Sequence, residues 1–495
     1  LSDERRYGPR RLASLLSNEV EISPEHGNIW IQALTADSRA VGQGMLFAAL
    51  PGTKADGAKF IPQAVEAGAA AILMGKQPLP EEPAVPVIRV DDPQHTLAMI
   101  AARFYARQPR TVAAVTGTNG KTSVSVFLRQ IWERAGHKAA SLGTIGLVSP
   151  GGAITGTLTT PDPIRLHEIM ADLAGDDVTH LSLEASSHGL AQRRLDGVRF
   201  AAGGFTNLSR DHLDYHGTLQ NYFQAKLRLF DTLLPKGAAV VADADQAEAA
   251  TVQRIAKERE LDYFSVGKEG ETLKVVSVTR MADGVRLLVE AYGEKRYVAL
   301  PLVGHFQISN ALVAACLATA TGVEALKALD ALADLKGASG RLELVGTHPS
   351  GAQVYVDYAH TPDALANALR ALRAHATRKL IVVFGAGGDR DPGKRPLMGQ
   401  AAHENSDRVI VTDDNPRSES PAAIRRAVLG GALEADEIGD RRAAIRTAVA
   451  SLKEGDVLLI AGKGHESGQT IGDKVLPFSD QEEARAALKS LGADA

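Results

Sequence analysis

Seven residues, Thr116-Gly117-Thr118-Asn119-Gly120-Lys121-Thr122, lie between the apolar run Thr111 to Val115 and a stretch where Val124, Phe127, Leu128 and Ile131 recur at helical spacing. The turn therefore joins a β-strand to a helix N-terminus. Glycines let backbone N–H groups close on phosphate oxygens, and the helix start offers unpaired donors and a positive dipole end. Lys121 adds a full charge at the outer phosphates, and the Thr122 hydroxyl suits Mg²⁺. The generic pattern has a glycine five residues before Gly120; Val115 stands there, so the loop is a shorter variant. A plain glycine-rich turn is the bland alternative, and strand, helix and Lys-Thr together weigh against it.

A chain of 495 residues suggests roughly three domains. Apolar strand candidates at Ala70 to Met74 and Val85 to Val90 alternate with helical stretches such as Ile61 to Ala67, marking a small α/β unit over 1–110. A second block, 111–337, carries most of the motifs, with a strand expected over Val178 to Glu184 and a helix over Asn310 to Thr321. The third, 338–495, has strand candidates at Gln353 to Val356, Leu380 to Phe384, Arg408 to Val411 and Val457 to Ile460. Alternation of these with helices predicts α/β domains, the last a doubly wound, largely parallel sheet.

Several function classes fall away on composition. With 55 basic and 59 acidic residues the net charge is -4, which leaves no basic field for nucleic acid. The single cysteine, Cys316, excludes an internal disulfide or a thiolate metal cluster and reads as a buried, inert thiol. No apolar run approaches the roughly 20 residues of a membrane span, and the Arg-rich start lacks the apolar centre of a secretory signal. The expected setting is the cytoplasm, with no membrane partner.

Downstream, Leu183-Glu184-Ala185-Ser186-Ser187-His188-Gly189 is followed by Asn207-Leu208-Ser209-Arg210-Asp211-His212-Leu213-Asp214-Tyr215-His216. Glu184 ends a strand candidate, which points it into the crevice at the carboxyl edge of an open sheet. Carboxylate oxygen suits Mg²⁺, and His212 is a further candidate ligand; an isolated histidine is more often structural, but these cluster. In Asn221 to Leu234, Phe223, Leu227 and Phe230 form an apolar helical stripe with Lys226 beside it. A partly buried lysine loses proton affinity, while a snorkelling side chain is an equally good reading of the sequence.

These strings, with Asn310, the Ser339-Gly340-Arg341 turn and Asp357-Tyr358-Ala359-His360, resemble the Mur ligases over essentially the whole chain. The likeness is greatest to the branch that adds the third amino acid. It implies an N-terminal domain for the UDP-sugar, a central ATPase domain and a Rossmann-like C-terminal domain for the incoming amino acid. It also implies ATP and Mg²⁺ as cofactors, with Thr122, Glu184, His212 and a carbamylated Lys226 at the metal. Lys121 and His360 are then the remaining catalytic candidates.

Position by position, the resemblance gives Gly117, Thr118, Asn119, Gly120, Lys121, Thr122, Ser123, Asn310, Arg341 and Asp357 to ATP. Ser38, Thr159, Thr160, Ser186, Gln192 and Arg194 go to UDP-MurNAc-L-Ala-D-Glu. Some relatives carry His-Gln-Ala where Thr53-Lys54-Ala55 stands here, so a uracil contact at that point departs from the pattern. Arg390, Asp414, Asn415, Pro416, Arg417, Gly462 and Glu466 match a pocket for meso-diaminopimelate, a lysine-like amino acid with a second carboxylate that a guanidinium grips through paired hydrogen bonds. The expected reaction is ATP-dependent amide formation through an acyl phosphate, by a monomer. An L-lysine-adding relative, a folylpolyglutamate synthase-like ligase and a phosphate-loop switch are the competing readings.

Overall fold

The computed structural model describes residues 7–16, 20–52, 56–154, 156, 158–281, 284–291 and 293–492. Thr53-Lys54-Ala55 lie outside the described residues.

Near the N-terminus, Leu34–Thr35, Leu46–Ala49, Ala71–Gly75 and Val87–Val90 pair in chain order as a parallel sheet. Every residue of Leu46–Ala49 and Ala71–Gly75 is buried, the pattern of strands covered on both faces. The helix Pro93–Tyr105 follows, started by the Asp92 side chain accepting from His95 N–H and by Pro93, whose missing N–H costs nothing in the first turn. It packs on the helix Pro163–Gly175 of the next unit.

An eleven-stranded sheet forms the centre, and seven consecutive strands run parallel in the order Ala139–Gly143, His180–Glu184, Thr111–Thr116, Ala202–Phe205, Ala239–Asp243, Asp262–Gly267 and Leu273–Met281. Thr111–Thr116 comes first in the chain and sits in the middle, with successors on both sides. The crevice at its carboxyl end is where open sheets of this kind bind ligands. Helices Lys121–Arg134 and His305–Ala320 pack together on one face. His305–Ala320 is buried almost all round, which suits its alanine-rich sequence, and burial pushes the Cys316 thiol up to about 12.

The third sheet runs Glu343–Thr347, Gln353–Asp357, Val457–Ala461, Leu380–Phe384, Arg408–Val411, Asp436–Glu437, antiparallel only at its first strand. Expected elements differ from observed ones mainly at their ends: the strand over Val178 to Glu184 starts at His180, and the helix over Asn310 to Thr321 starts at His305. Asn221 to Leu234 is not one regular helix. Leu219–Arg228 is α-helical, and a π turn over Leu229–Leu233 re-phases the chain so that Leu229, Phe230 and Leu234 all reach the core.

Candidate active site

The two glycines of the loop are there because other groups touch their backbone. Gly117 has φ +148° and a Cβ there would stand 1.9 Å from Thr206 Oγ1; Gly120 has φ +88° and a Cβ would stand 2.3 Å from Asn310 Oδ1. The neighbouring strand end fixes the loop: Thr118 N–H donates to Asn207 O at 2.9 Å, Asn119 N–H to Asn207 Oδ1 at 2.9 Å, and Thr206 Oγ1 to Asn119 O at 2.6 Å. Lys121 Nζ curls back to donate to Gly117 O and Thr118 O, both at 2.9 Å. Burial lowers its pKa, opposed by Glu184 and Asp211 and reinforced by Arg341.

Glu184 ends the adjacent strand, 2% exposed. Its carboxylate accepts from Thr144 N–H at 2.8 Å, Thr144 Oγ1 at 3.0 Å and Thr122 Oγ1 at 3.1 Å. Arg341 reaches across from the third sheet's side, donating to Thr122 Oγ1 at 2.9 Å with its guanidinium 4.5 Å above the Tyr358 ring. Lys226 neither snorkels nor lies merely beside a stripe: it is wholly buried, donates to Gly117 O at 2.7 Å and stands 4.0 Å over the Tyr222 ring. Burial, then the charge of Lys121, hold its pKa well below the ordinary lysine value, partly offset by Asp211.

Asp211 gathers basic side chains from both sides of the cleft: His212 Nε2 at 3.4 Å, His360 Nε2 at 3.7 Å and Lys394 Nζ at 4.0 Å. Burial alone would raise its carboxyl, but the contact and charge of His360, with His212 and Lys394, hold it well below the usual range. Burial brings His212 down to about 3, a neutral ring. Among the described residues no group of three or more His, Cys, Asp or Glu side chains is placed to hold a metal ion. What converges at the phosphate loop is instead hard oxygen, the Glu184 carboxylate and the Thr122 hydroxyl, a set that fits Mg²⁺ completed by phosphate and water.

Three recesses open around this centre. The main cavity, about 520 Å³, is lined by Asn119 to Thr122, Thr159, Thr160, Glu184, Ser186, Arg194, Asp211, His212, Lys226, His360, Arg390, Asp414, Asn415, Arg417, Gly462 and Glu466. A second, about 1030 Å³, brings Ser38 of the N-terminal unit opposite Gln192 and Tyr215. A polar chain joins the two: Gln192 Nε2 donates to Tyr215 OH at 3.2 Å, Arg194 Nη2 to Gln192 Oε1 at 2.6 Å, and Arg194 Nη1 to Thr160 O at 2.7 Å. The third, about 250 Å³, holds Ser123, Asn310, Arg341 and Asp357 beside Gly120. Asp357 has both carboxylate oxygens engaged, by Leu342 and Ala359 N–H at 2.7 Å each, and burial raises its pKa.

At the far end of the main cavity Arg417 donates to Gly388 O at 2.7 Å, and burial lowers its pKa, with Arg390 adding like charge. Glu466 Oε2 already accepts from Lys463 Nζ and Asn415 Nδ2, each at 2.8 Å. Pro416 does not line the cavity. Its carbonyl faces Gly388, where a Cβ would come within 1.9 Å.

The chain matches three family profiles: "Mur ligase family, catalytic domain" over 31–105, "Mur ligase middle domain" over 115–318 and "Mur ligase, glutamate ligase domain" over 340–464. It is 57% identical over 478 residues to the UDP-N-acetylmuramoyl-L-alanyl-D-glutamate--2,6-diaminopimelate ligase of Chelativorans sp. (strain BNC1), covering 96% of this chain and 99% of that protein. It belongs to the Mur ligase family. Among solved structures, a UDP-N-acetylmuramoyl-L-alanyl-D-glutamate--2,6-diaminopimelate ligase aligns with TM-score 0.69 at 32% identity over 98% of this chain and 99% of that one. A MurF ligase from Thermotoga maritima in complex with ADP shares the fold at TM-score 0.62 and 19% identity, over 93% of this chain and 97% of that one.

In this Mur ligase the sequence reading missed Asp211, Lys394, Tyr358 and Lys463. Asp211 sat in a quoted string but drew attention only to its neighbour His212. Lys394 and Lys463 gave no signal, because a buried lysine is recognised by its surroundings and both sit in segments rich in charge and glycine.

Proposed function

We propose that this Mur ligase joins meso-diaminopimelate to the terminal glutamate carboxylate of UDP-MurNAc-L-Ala-D-Glu at the expense of ATP, giving the UDP-MurNAc-tripeptide of peptidoglycan precursor synthesis. The carrying observation is that one cavity is lined both by the phosphate loop and by Arg417 with Glu466. A phosphorylated carboxylate and an amine therefore meet without leaving it. The assigned parts are 1–110 for the UDP-sugar, 111–337 for ATP and 338–495 for the amino acid. The reading places the enzyme in the cytoplasm as a monomer; no helix among the described residues is long and apolar enough to cross a membrane.

Lys121 neutralises charge on the γ-phosphate as the glutamate carboxylate attacks, giving an acyl phosphate and ADP. Thr122 and Glu184 would hold Mg²⁺, whose charge would support the same transfer; Lys226 would join the metal ligands only as a carbamate, since an ammonium cannot coordinate and a neutral amine is a poor partner for so hard a cation. The amine then attacks the acyl carbon and the tetrahedral centre expels phosphate. In this reading His360 or the Asp211 carboxylate, 3.7 Å apart in the same cavity, takes the proton that the amine sheds. Arg417 pairs with the far carboxylate of diaminopimelate, and the free oxygen of Glu466 meets the far ammonium.

The test is phosphate release with ATP and Mg²⁺ alone, then with UDP-MurNAc-L-Ala-D-Glu, then with either amino acid added. Release should require the dipeptide and an amino acid, with diaminopimelate preferred over L-lysine by about 10⁴-fold. Full turnover without the dipeptide would return the switch reading, and comparable efficiency for both amino acids would return the lysine-adding one.

A further inference from the structure

Beyond the residues assigned to the amino acid, one element bonds to three of them, Asp414, Asn415 and Arg417, from behind. The hairpin of strands Gly468–Ile471 and Lys474–Pro477 follows directly on Glu466 and belongs to no larger sheet. Two-stranded hairpins are marginal on their own, and this one buries little: Ile471 is 44% exposed, Val475 68% and Leu476 47%. Its polar groups are spent on the loop that carries Arg417. Gln469 Nε2 donates to Asp414 O at 2.7 Å, Thr470 N–H to Asn415 Oδ1 at 2.9 Å, Arg417 N–H to Thr470 O at 3.1 Å, and Gly472 N–H to Arg417 O at 2.7 Å. Arg417 needs that support, since its φ of +51° is left-handed, a conformation that is unfavourable for a residue with a side chain.

We infer that this hairpin is the specificity brace of the ligase, with Gln469 a positioning residue that fixes the Asp414 to Arg417 loop so that the guanidinium meets the distal carboxylate of the incoming amino acid. The inference rests on the diaminopimelate reading above. Gln469 itself does not line the cavity, so it acts through the loop. Of the four bonds, its own is the one made by a hairpin side chain, and hence the one a substitution removes without altering the hairpin backbone. Loosening the brace lets Arg417 leave its aim, and the substrate that depends on the guanidinium suffers while the one lacking the distal carboxylate does not.

The experiment compares the unmodified enzyme, Gln469→Ala and Gln469→Glu, the last keeping the shape but placing an acceptor against the Asp414 carbonyl. KM for diaminopimelate, KM for ATP, kcat, and efficiency with L-lysine are measured alongside the melting temperature. Both variants should raise KM for diaminopimelate about tenfold, the typical effect of one lost hydrogen bond in a positioning network, leave KM for ATP within about twofold, and shrink the preference over lysine by the same tenfold. If the unmodified enzyme prefers diaminopimelate and both variants keep that preference and its KM, the brace is overturned while the assigned reaction stands. Should the unmodified enzyme show no use of diaminopimelate, the assigned reaction fails first. A uniform loss in kcat with both amino acids, tracking a lower melting temperature, would make Gln469 merely structural and likewise overturns the inference.

Discussion

The phosphate loop and the amino-acid loop occupy equivalent places, each leaving the carboxyl end of a parallel strand, yet they solve the same backbone problem in opposite ways. In the first, the left-handed positions are glycines, Gly117 and Gly120, because phosphate is read by backbone N–H groups and any side chain would collide with Thr206 or Asn310. In the second, the left-handed position is Arg417 itself, the residue whose guanidinium we propose reads the distal carboxylate. Both loops are held from a distance, the first by Thr206 and Asn207 nearly ninety positions on and the second by the hairpin about fifty positions on. What differs is where the left-handed backbone falls: glycine adopts it without steric cost in the first loop, whereas in the second a side-chain-bearing residue adopts it and leans on its supports.

Removing Lys121 tests the glycine loop and should have the largest effect. Lys121→Ala deletes a charge contact to the transferring phosphate and should cost about 4 kcal/mol, roughly a thousandfold in turnover. Circular dichroism should be unchanged, because the ammonium bonds only loop carbonyls. Turnover near normal would remove Lys121 from the chemistry. Arg417→Ala probes the supported loop. We expect about 3 kcal/mol, near a hundredfold in kcat/KM, with diaminopimelate and tenfold or less with L-lysine; equal losses would mean that this loop does not read the distal carboxylate.

A smaller effect sharpens the comparison on the phosphate side, where Lys226 shares the Gly117 carbonyl with Lys121. Folding depresses the Lys226 pKa below the 10.5 of a free lysine, so the unfolded state binds more protons throughout that window and stability falls as pH drops from 10.5 toward the folded value. Lys121 contributes in the same direction. In buffer free of carbon dioxide, Lys226→Met should raise the melting temperature at pH 7 by about 2 °C or more and flatten its rise toward pH 10, since one buried amine no longer needs to lose a proton. An unchanged pH profile would show that Lys226 does not titrate on unfolding.

Much of this was legible in the chain because the signals were local. The strand, the glycines, Lys121 and Thr122 are consecutive, and the strand-to-helix turn confines them to one place whatever the rest of the molecule does. Glu184 was legible for the same reason, as the last residue of an apolar strand in an alternating α/β pattern. The family resemblance carried the separated pieces, such as Ser38 with Gln192 and Arg390 with Glu466, that no spacing rule would have joined. Lys226 was an even choice between surface and interior, since amphipathic periodicity gives a face but not the depth of what covers it.

From the sequence alone came the α/β units, the phosphate-binding turn and the types of side chain available for the chemistry, all of which rest on interactions within a few residues. Only the tertiary structure decided that Lys226 is buried against the Gly117 carbonyl, that Asp211 collects His212, His360 and Lys394, and that Glu466 is already half engaged by Lys463 and Asn415. Each of these is an electrostatic encounter between segments far apart in the chain. Its strength depends on distance and on exclusion of water, and neither exists until the sheets have packed.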